Sequence, residues 1–177
     1  MSRARTSTSL STSVSRRVLA LVIAVATIAF GSVAIDSAAP PANAADPVNL
    51  SLGKTATASN TSGTMVAANA VDGNSTSRWS SDGSGNNSAW LQVDLGQSYT
   101  LSKVVLNWEA AYATGYKIQL SANGSSWTDA FSTTTAAGGV ETRTFTGTAR
   151  YVRMQGVTPK TTWGYSLYEF EVYGLPA

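Results

Sequence analysis

The sequence has 177 residues and contains neither cysteine nor histidine. Without cysteine, the protein cannot form disulfide bonds, bind zinc through thiolates or use a cysteine nucleophile. Without histidine, it cannot assemble a serine–histidine–aspartate triad or a histidine metal site. The chain therefore lacks the residue types on which serine and cysteine hydrolases and structural zinc domains depend.

Basic charge is also scarce outside the N-terminal segment. The full chain has 12 Lys and Arg against 10 Asp and Glu, a net charge of +2. Residues 1–44 contain four of those bases and one acid, so the remaining 133 residues carry 8 bases, 9 acids and a net charge of −1. A nucleic-acid-binding domain needs basic residues concentrated in its folded part. We therefore expect no nucleic acid partner, and one domain for a chain of this length.

Residues 1–44 have the layout of an export signal. A Ser/Thr-rich, positively charged start ends in Arg16-Arg17, an apolar run covers residues 18–33, and the small-residue sequence Ala-Asn-Ala occupies 42–44. This layout predicts a signal peptide cleaved after position 44 and a secreted protein. The adjacent arginines are also typical of a twin-arginine signal, which leaves the export route open. A membrane anchor is disfavoured because the apolar run is shorter than the ~20 residues of a membrane span.

After a short linker at residues 45–48, the pattern is that of an all-β domain. Apolar and polar residues alternate in short segments that are separated by glycine, asparagine and aspartate. This period of two predicts half-buried strands, and strands at this spacing without helices predict a β-sandwich or jelly roll. The alternating segments are 90–95, 116–121, 142–147, 151–155 and 168–173, with Tyr168, Phe170 and Val172 on one face of the last one. Residues 101–108 are more continuously apolar, which predicts a central strand of the sandwich.

Six passages of the sequence stand out, at residues 49–59, 69–81, 90–96, 104–113, 150–154 and 166–174. Together they resemble one family, the discoidin or coagulation-factor-5/8 type C domain. Within it they are most similar to bacterial family 32 carbohydrate-binding modules, and the passage 104–113 is similar to chitosan- or β-1,3-glucan-binding modules. The resemblance covers residues 49–174 and implies an eight-stranded jelly-roll β-sandwich with its ligand in loops at one end.

The turn Asp72-Gly73-Asn74 is consistent with a simple turn, because Asp and Asn bond their own backbone and Gly adopts positive φ. The resemblance adds a structural Ca²⁺ at this turn. Ca²⁺ takes six to eight oxygen ligands from carboxylates, carbonyls and hydroxyls. The implied ligands are Asn69, Asp72, Asn74, Ser77, Tyr168 and Glu169.

The resemblance also implies that Arg78 and Glu109 contact a sugar ligand; without it, they would be read as a surface ion pair worth ~0–1 kcal/mol. Trp163 lies in a loop-like segment, where its indole either stacks on a pyranose ring or anchors the loop. Tyr165 and Tyr112 are weaker candidates for ligand contact, and Asp82 is a candidate carboxylate. The other tryptophans are expected in the core because they lie in or beside alternating strands; they are Trp79, Trp90, Trp108 and Trp127.

These features predict a secreted, monomeric, non-catalytic module that binds a polysaccharide of the chitosan (glucosamine) or β-glucan type. A glycoside hydrolase with two catalytic carboxylates is disfavoured, because the resemblance assigns two of the nine acids to the cation and no catalytic motif is present. A discoidin-type domain that binds phospholipid or protein is the alternative. Anionic lipid is disfavoured by the polar loops and by the net charge of −1.

Overall fold

The computed structural model describes residues 46–83 and 87–177, and the expected leader at 1–44 lies outside this part of the chain. The described residues form eight strands and one four-residue 3₁₀ turn. None of the helical structure in these two ranges is long and apolar enough to cross a membrane. The elements are β1 (Val48–Asn49), β2 (Thr55–Ala58), the 3₁₀ turn (Ala67–Ala70), β3 (Trp79–Ser80), β4 (Trp90–Trp108), β5 (Ala113–Ser121), β6 (Thr128–Thr133), β7 (Val140–Pro159) and β8 (Ser166–Pro176).

Two long strands, β4 and β7, organise the fold. Residues 91–94 of β4 pair with β2, whereas residues 99–108 of the same strand pair with β8. The register shifts between these halves, next to Gly96, which has a positive φ of 88°. All strand pairs are antiparallel, in the order β1-β8-β4-β7-β5-β6. The jelly-roll β-sandwich is confirmed, but the predicted strands 90–95 and 101–108 are two halves of one strand.

The alternating segments supply the hydrophobic core. Leu91, Val93 and Leu95 are fully buried, as are Ile118 and Met154 on the neighbouring strands. Each buried aliphatic side chain contributes about 1.5–3 kcal/mol relative to an exposed one. The period-2 reading of these strands is therefore confirmed, and it places their polar partners on the outer surface.

The start of β8 departs from the expected alternation. Asn107 pairs with Glu169 and the next residue, Trp108, pairs with Leu167, so Tyr168 is an extra residue in β8. Such a bulge shifts the phase of a strand by one residue. As a result Glu169 is buried and Tyr168 is only half-buried, whereas the sequence pattern placed Tyr168 on the inner face. The bulge turns an acidic side chain toward the interior.

The tryptophans divide into two groups. Trp79 and Trp108 are buried in the core, as expected. The same expectation is wrong for Trp90 and Trp127, which are half-buried on either side of Arg153. The guanidinium carbon of Arg153 lies 5.7 Å from the ring centre of Trp90 and 4.1 Å from that of Trp127. Trp90 precedes the buried Leu91, so the alternation of β4 places its ring on the opposite, outer face.

A buried acid supports the end of β4. Glu141 accepts hydrogen bonds from the Tyr116 hydroxyl at 2.9 Å, the Trp108 indole at 3.3 Å and the Ala137 backbone N–H at 3.0 Å. It also pairs with Arg143 at 2.9 Å. Its charge is therefore compensated on both oxygens, which buried charges require. This network holds Trp108, the residue that precedes Glu109.

Candidate functional site

Three chain segments meet at one end of the sandwich: 80–82 after β3, 109–111 after β4 and 161–165 before β8. The Glu109 N–H donates to the Ser166 carbonyl at 3.0 Å, and the Ser166 N–H donates to the Ala111 carbonyl at 2.8 Å. Ser81 exchanges two bonds with Tyr165, donating its N–H to the carbonyl at 2.8 Å and accepting on its hydroxyl at 2.9 Å. These bonds preorganise the walls of the site.

The three segments enclose an open cavity of about 480 Å³. Four of the six residues predicted to contact a sugar line it: Arg78, Asp82, Glu109 and Trp163. They come from three separate stretches of the sequence, around positions 78–82, 109 and 163, and are brought together only by the fold. The remaining lining residues are Ser62, Met65, Ser80, Ser81, Ala110, Ala111 and Thr161.

Arg78 and Glu109 line the cavity without pairing with each other in the described residues. Arg78 and Glu109 form no ion pair within residues 46–83 and 87–177, and the buried Nε of Arg78 has no hydrogen-bond partner among them. Glu109 accepts the Ala111 N–H at 2.9 Å on Oε2. A guanidinium offers only donors and ionised carboxylates offer only acceptors. The cavity can therefore bind hydroxyl groups from both sides, and an ammonium group at its carboxylates.

Trp163 stands at the rim of this cavity with 76% of its surface exposed. Its backbone N–H donates to the Thr161 hydroxyl at 3.2 Å. An indole in this position leaves an apolar face open to solvent, where burial against an apolar ligand surface is favourable. Of the two expectations for Trp163, loop anchoring does not fit, because an anchoring ring would be buried.

The structure removes Tyr165 and Tyr112 from the candidate site. Tyr165 is fully buried and donates its hydroxyl to the Asn87 carbonyl at 2.6 Å. Burial raises the pKa of this hydroxyl to about 12. Tyr112 is half-buried against the core beside Gly138, and neither tyrosine lines the cavity. Tyr165 directly precedes β8, so its ring points inward with that strand rather than outward with the loop.

Asn60 supports the cavity and was not identified from the sequence. Its amide Nδ2 donates to Asp82 at 3.0 Å, and its backbone carbonyl accepts the Trp79 indole N–H at 3.2 Å. It therefore orients Asp82 and holds the residue that follows Arg78. Asn60 lies 22 residues from Asp82 in an irregular segment, and no sequence motif links the two.

A second group of predicted residues meets at the turn after the 3₁₀ turn. Asp72 accepts the Asn74 N–H at 2.8 Å on Oδ1, and its Oδ2 lies 2.7 Å from the Ser77 hydroxyl. Glu169 faces Asp72 from β8 and is 7% exposed. Burial, and then the nearby Asp72 carboxylate, raise the pKa of Glu169 to about 7. Its Oε1 is buried and has no hydrogen-bond partner among the described residues.

This arrangement fits a hard divalent cation. Two carboxylates that repel each other, one with an unsatisfied buried oxygen, are stabilised by positive charge between them. The described ranges contain no cluster of three or more Asp and Glu side chains at a possible metal site. A cation here would therefore take its other ligands from neutral oxygens, as Ca²⁺ does. Candidates are the carbonyls of Asn69, Asn74 and Tyr168, the last of these in the bulge of β8, and Ser77.

Solved structures with this fold include carbohydrate-binding modules. The chain is similar to chitosan-binding module 1 of a chitosanase/glucanase from Paenibacillus sp. IK-5, with 49% identity over 72% of this chain and 99% of that one and a TM-score of 0.69. Chitosan-binding module 2 of the same enzyme, solved in complex with chitotriose, shares 42% identity over 71% of this chain and 100% of that one, with a TM-score of 0.68.

A longer relative is the polysaccharide lyase 8 family protein HylA of Enterococcus faecalis, which is 32% identical over 118 residues. The match covers 62% of this chain but only 8% of HylA, so this chain corresponds to a small part of that protein. The family model of the F5/8 type C domain matches residues 55–170, which is more than half of the sequence. The chain therefore belongs to the F5/8 type C domain family.

Proposed function

We propose that this protein is a secreted, non-catalytic carbohydrate-binding module for a chitosan- or β-glucan-type polysaccharide. The observation that carries the proposal is the single cavity that collects Arg78, Asp82, Glu109 and the exposed Trp163. The similarity to chitosan-binding modules supports a polysaccharide ligand. Export is supported by the leader-like pattern of residues 1–44.

Binding in this site combines stacking with a few charged hydrogen bonds. The Trp163 indole covers the apolar face of one sugar ring at the rim. Arg78 donates to ring hydroxyls, and Glu109 accepts from a hydroxyl or from a glucosamine ammonium, the stronger of the two bonds. Because the cavity is open and the contacts are few, we expect single-site dissociation constants on the order of 10 µM to mM.

Affinity electrophoresis and calorimetry test this proposal. Soluble chitosan, laminarin or another β-glucan should retard the protein, and Trp163→Ala should abolish the retardation. Trp127→Ala is the matched control, since this ring lies beside Arg153 and away from the cavity. Retardation by none of these polysaccharides, with sedimentation on anionic liposomes instead, would favour the phospholipid-binding alternative.

Two carboxylates in one cavity also require a test for hydrolysis. Asp82 and Glu109 both line the cavity, and glycosidases use carboxylate pairs. A binding module should bind chitosan oligosaccharides without releasing new reducing ends during long incubation. Release of reducing ends that disappears in Glu109→Gln would identify an enzyme.

We further propose a structural Ca²⁺ at Asp72 and Glu169. This is supported by the buried Oε1 of Glu169, which has no hydrogen-bond partner among the described residues. When bound, the ion would neutralise the two facing carboxylates and connect the 72–77 turn to β8. Chelation with EGTA should lower the melting temperature of the protein, and added Ca²⁺ should restore it. The same treatment should have no effect on Asp72→Asn, and an equal effect on both proteins would exclude this site.

A further inference from the structure

The side chain of Asn69 connects two wall segments of the proposed sugar cavity. Its amide Nδ2 donates to the Arg78 carbonyl at 3.0 Å and lies 3.4 Å from the Thr64 carbonyl. Thr64 adjoins Met65, which lines the cavity and accepts the Ser80 N–H at 3.1 Å. One amide group therefore fixes the backbone of Arg78 relative to the neighbouring 64–65 segment.

The same residue belongs to the turn of the proposed cation site. Asn69 lies in the 3₁₀ turn Ala67–Ala70, three residues before Asp72. Ser77, the neighbour of Arg78, lies 2.7 Å from the Asp72 carboxylate. Arg78 is thus held on one side by the Asn69 amide and on the other by a residue in contact with Asp72. Both connections to Arg78 therefore start from candidate cation ligands, one from Asn69 and the other from Ser77 and Asp72.

Little else constrains Arg78 in the described residues. Its guanidinium forms no ion pair there, and its buried Nε has no hydrogen-bond partner. The direction of the side chain therefore depends on where its backbone is held. A small displacement of the 69–77 turn would move the Arg78 donors relative to Glu109 and Trp163 on the other walls.

We propose that Asn69 is a positioning residue that couples cation binding to sugar affinity. Its backbone carbonyl is a candidate cation ligand, and its side chain donates to the Arg78 carbonyl, so that ordering the 69–77 turn would also order the cavity. The inference rests on the proposed sugar and cation sites. Because coupling free energies are reciprocal, the sugar should raise the affinity for Ca²⁺ by the same factor as Ca²⁺ raises the affinity for the sugar.

Calorimetry on the full chain with chitotriose, in Ca²⁺ and in EGTA, tests the coupling. We expect Ca²⁺ to tighten chitotriose binding about five-fold, the lower end of typical allosteric coupling. Asn69→Ala should weaken binding and remove its dependence on Ca²⁺. Its Ca²⁺-induced rise in melting temperature should remain, because the substitution keeps the backbone carbonyl. A substitution that only destabilised the fold would not remove the Ca²⁺ dependence of chitotriose binding while leaving the Ca²⁺-induced rise in melting temperature intact.

Asn123→Ala provides the matched control. Its side chain accepts the Ser125 and Ser126 N–H groups at 2.9 Å each in the turn after β5, and Asn123 belongs to neither the cavity lining nor the candidate cation ligands. This variant should keep the Ca²⁺ dependence of chitotriose binding. Asn69→Asp, which loses the amide donor but keeps the size, substitutes for Asn69→Ala if that variant fails to fold.

The outcomes separate this inference from the proposed function. If Ca²⁺ raises the melting temperature while the chitotriose affinity is equal with and without Ca²⁺, the coupling is wrong and the binding function stands. An Asn69→Ala protein that keeps the full Ca²⁺ dependence would also overturn the role of this side chain. Absence of any oligosaccharide binding by the unchanged protein would overturn both the inference and the proposed function.

Discussion

At the scale of single residues, two glycines decide where Trp163 stands. Gly83 and Gly164 have positive φ angles of 64° and 79°, and they pack against each other's loops. A Cβ on Gly83 would lie 2.9 Å from the Trp163 backbone carbonyl, and one on Gly164 would collide with the Ser81 hydroxyl. Only residues without a side chain allow the 80–83 and 161–164 loops to meet, which places the indole at the rim of the cavity.

Gly164→Ala should therefore weaken both the fold and the site. We expect a loss of about 2–3 kcal/mol in unfolding free energy, from positive-φ strain together with the collision at Ser81. Urea unfolding measures the stability, and chitotriose binding measures the displacement of Trp163. Gly53→Ala is the control: its φ is 67°, but an added Cβ would have no neighbour within 4 Å. This variant should lose only about 1–2 kcal/mol of unfolding free energy, from the positive-φ strain, and should keep its sugar affinity. Equal losses of stability and of affinity in both variants would contradict the role of the Gly83–Gly164 contact in placing Trp163.

At the scale of elements, an ion pair joins the two long strands where β4 changes its partner from β2 to β8 and β7 begins to pair with β5. Arg150 of β7 donates from Nε and Nη2 to the two oxygens of Asp94 in β4, each at 2.8 Å. The Gly96 N–H adds a third bond to Asp94 at 2.8 Å. The bond from Arg150 contributes most to lowering the pKa of Asp94, from 3.8 to about 2. This carboxylate therefore favours the folded state only while it is ionised.

The stability should depend on pH accordingly. A depressed carboxyl pKa contributes stability above the unfolded value of 3.8, and this contribution disappears as the pH falls toward 2. Because Arg150 is 41% exposed, solvent screens the pair and keeps this contribution small. Urea unfolding should show Asp94→Asn less stable than the unchanged protein at pH 6 and nearly equal to it at pH 2. The hydrogen bond from Lys117 also lowers the pKa of Asp129, but this residue is present in both proteins and its titration cancels. A stability difference independent of pH would refute the role of Asp94.

The strands also show which features a sequence pattern can predict and which it cannot. The alternation of polar and apolar residues identified the inner faces of β4, β5 and β7. Successive side chains of a strand point to opposite faces, so burial of one face requires an apolar residue at every second position. It could not show that 90–95 and 101–108 form one bent strand, since the bend at Gly96 depends on two different partner strands. It also misplaced Tyr168 and Glu169, because the bulge in β8 is defined only by its pairing with β4.

The candidate site also contains residues that local sequence predicts and residues whose position depends on contacts between distant segments. Arg78, Asp82, Glu109 and Trp163 were identified by motif position and loop context, and the fold brings them to one cavity. Tyr165 failed as a site residue because its direction depends on β8, one residue away. Asn60 was missed because its role consists of two long-range hydrogen bonds that no local pattern encodes.

At the scale of the whole molecule, the described domain presents the proposed sugar cavity on a support of hydrogen-bonded strands and loops. The cavity lies at one end of the sandwich, and its walls are joined by backbone bonds, so little ordering is needed on binding. The contact area of one cavity of about 480 Å³ nevertheless limits the affinity for a single oligosaccharide. Tight retention on a polymer would then require several sites that act together.

A tandem protein tests this limit. Two copies joined by a flexible Gly/Ser linker should bind long chitosan or β-glucan about 10²-fold more tightly than one copy, because the second contact becomes intramolecular. The same tandem should bind chitotriose with an unchanged dissociation constant per site, since a trisaccharide cannot bridge two cavities. A tandem with Trp163→Ala in one copy should return to single-copy affinity on the polymer. If this half-inactivated tandem kept the full gain, the polymer would contact a surface other than the cavity, and the assignment of the cavity as the polymer-binding site would be wrong.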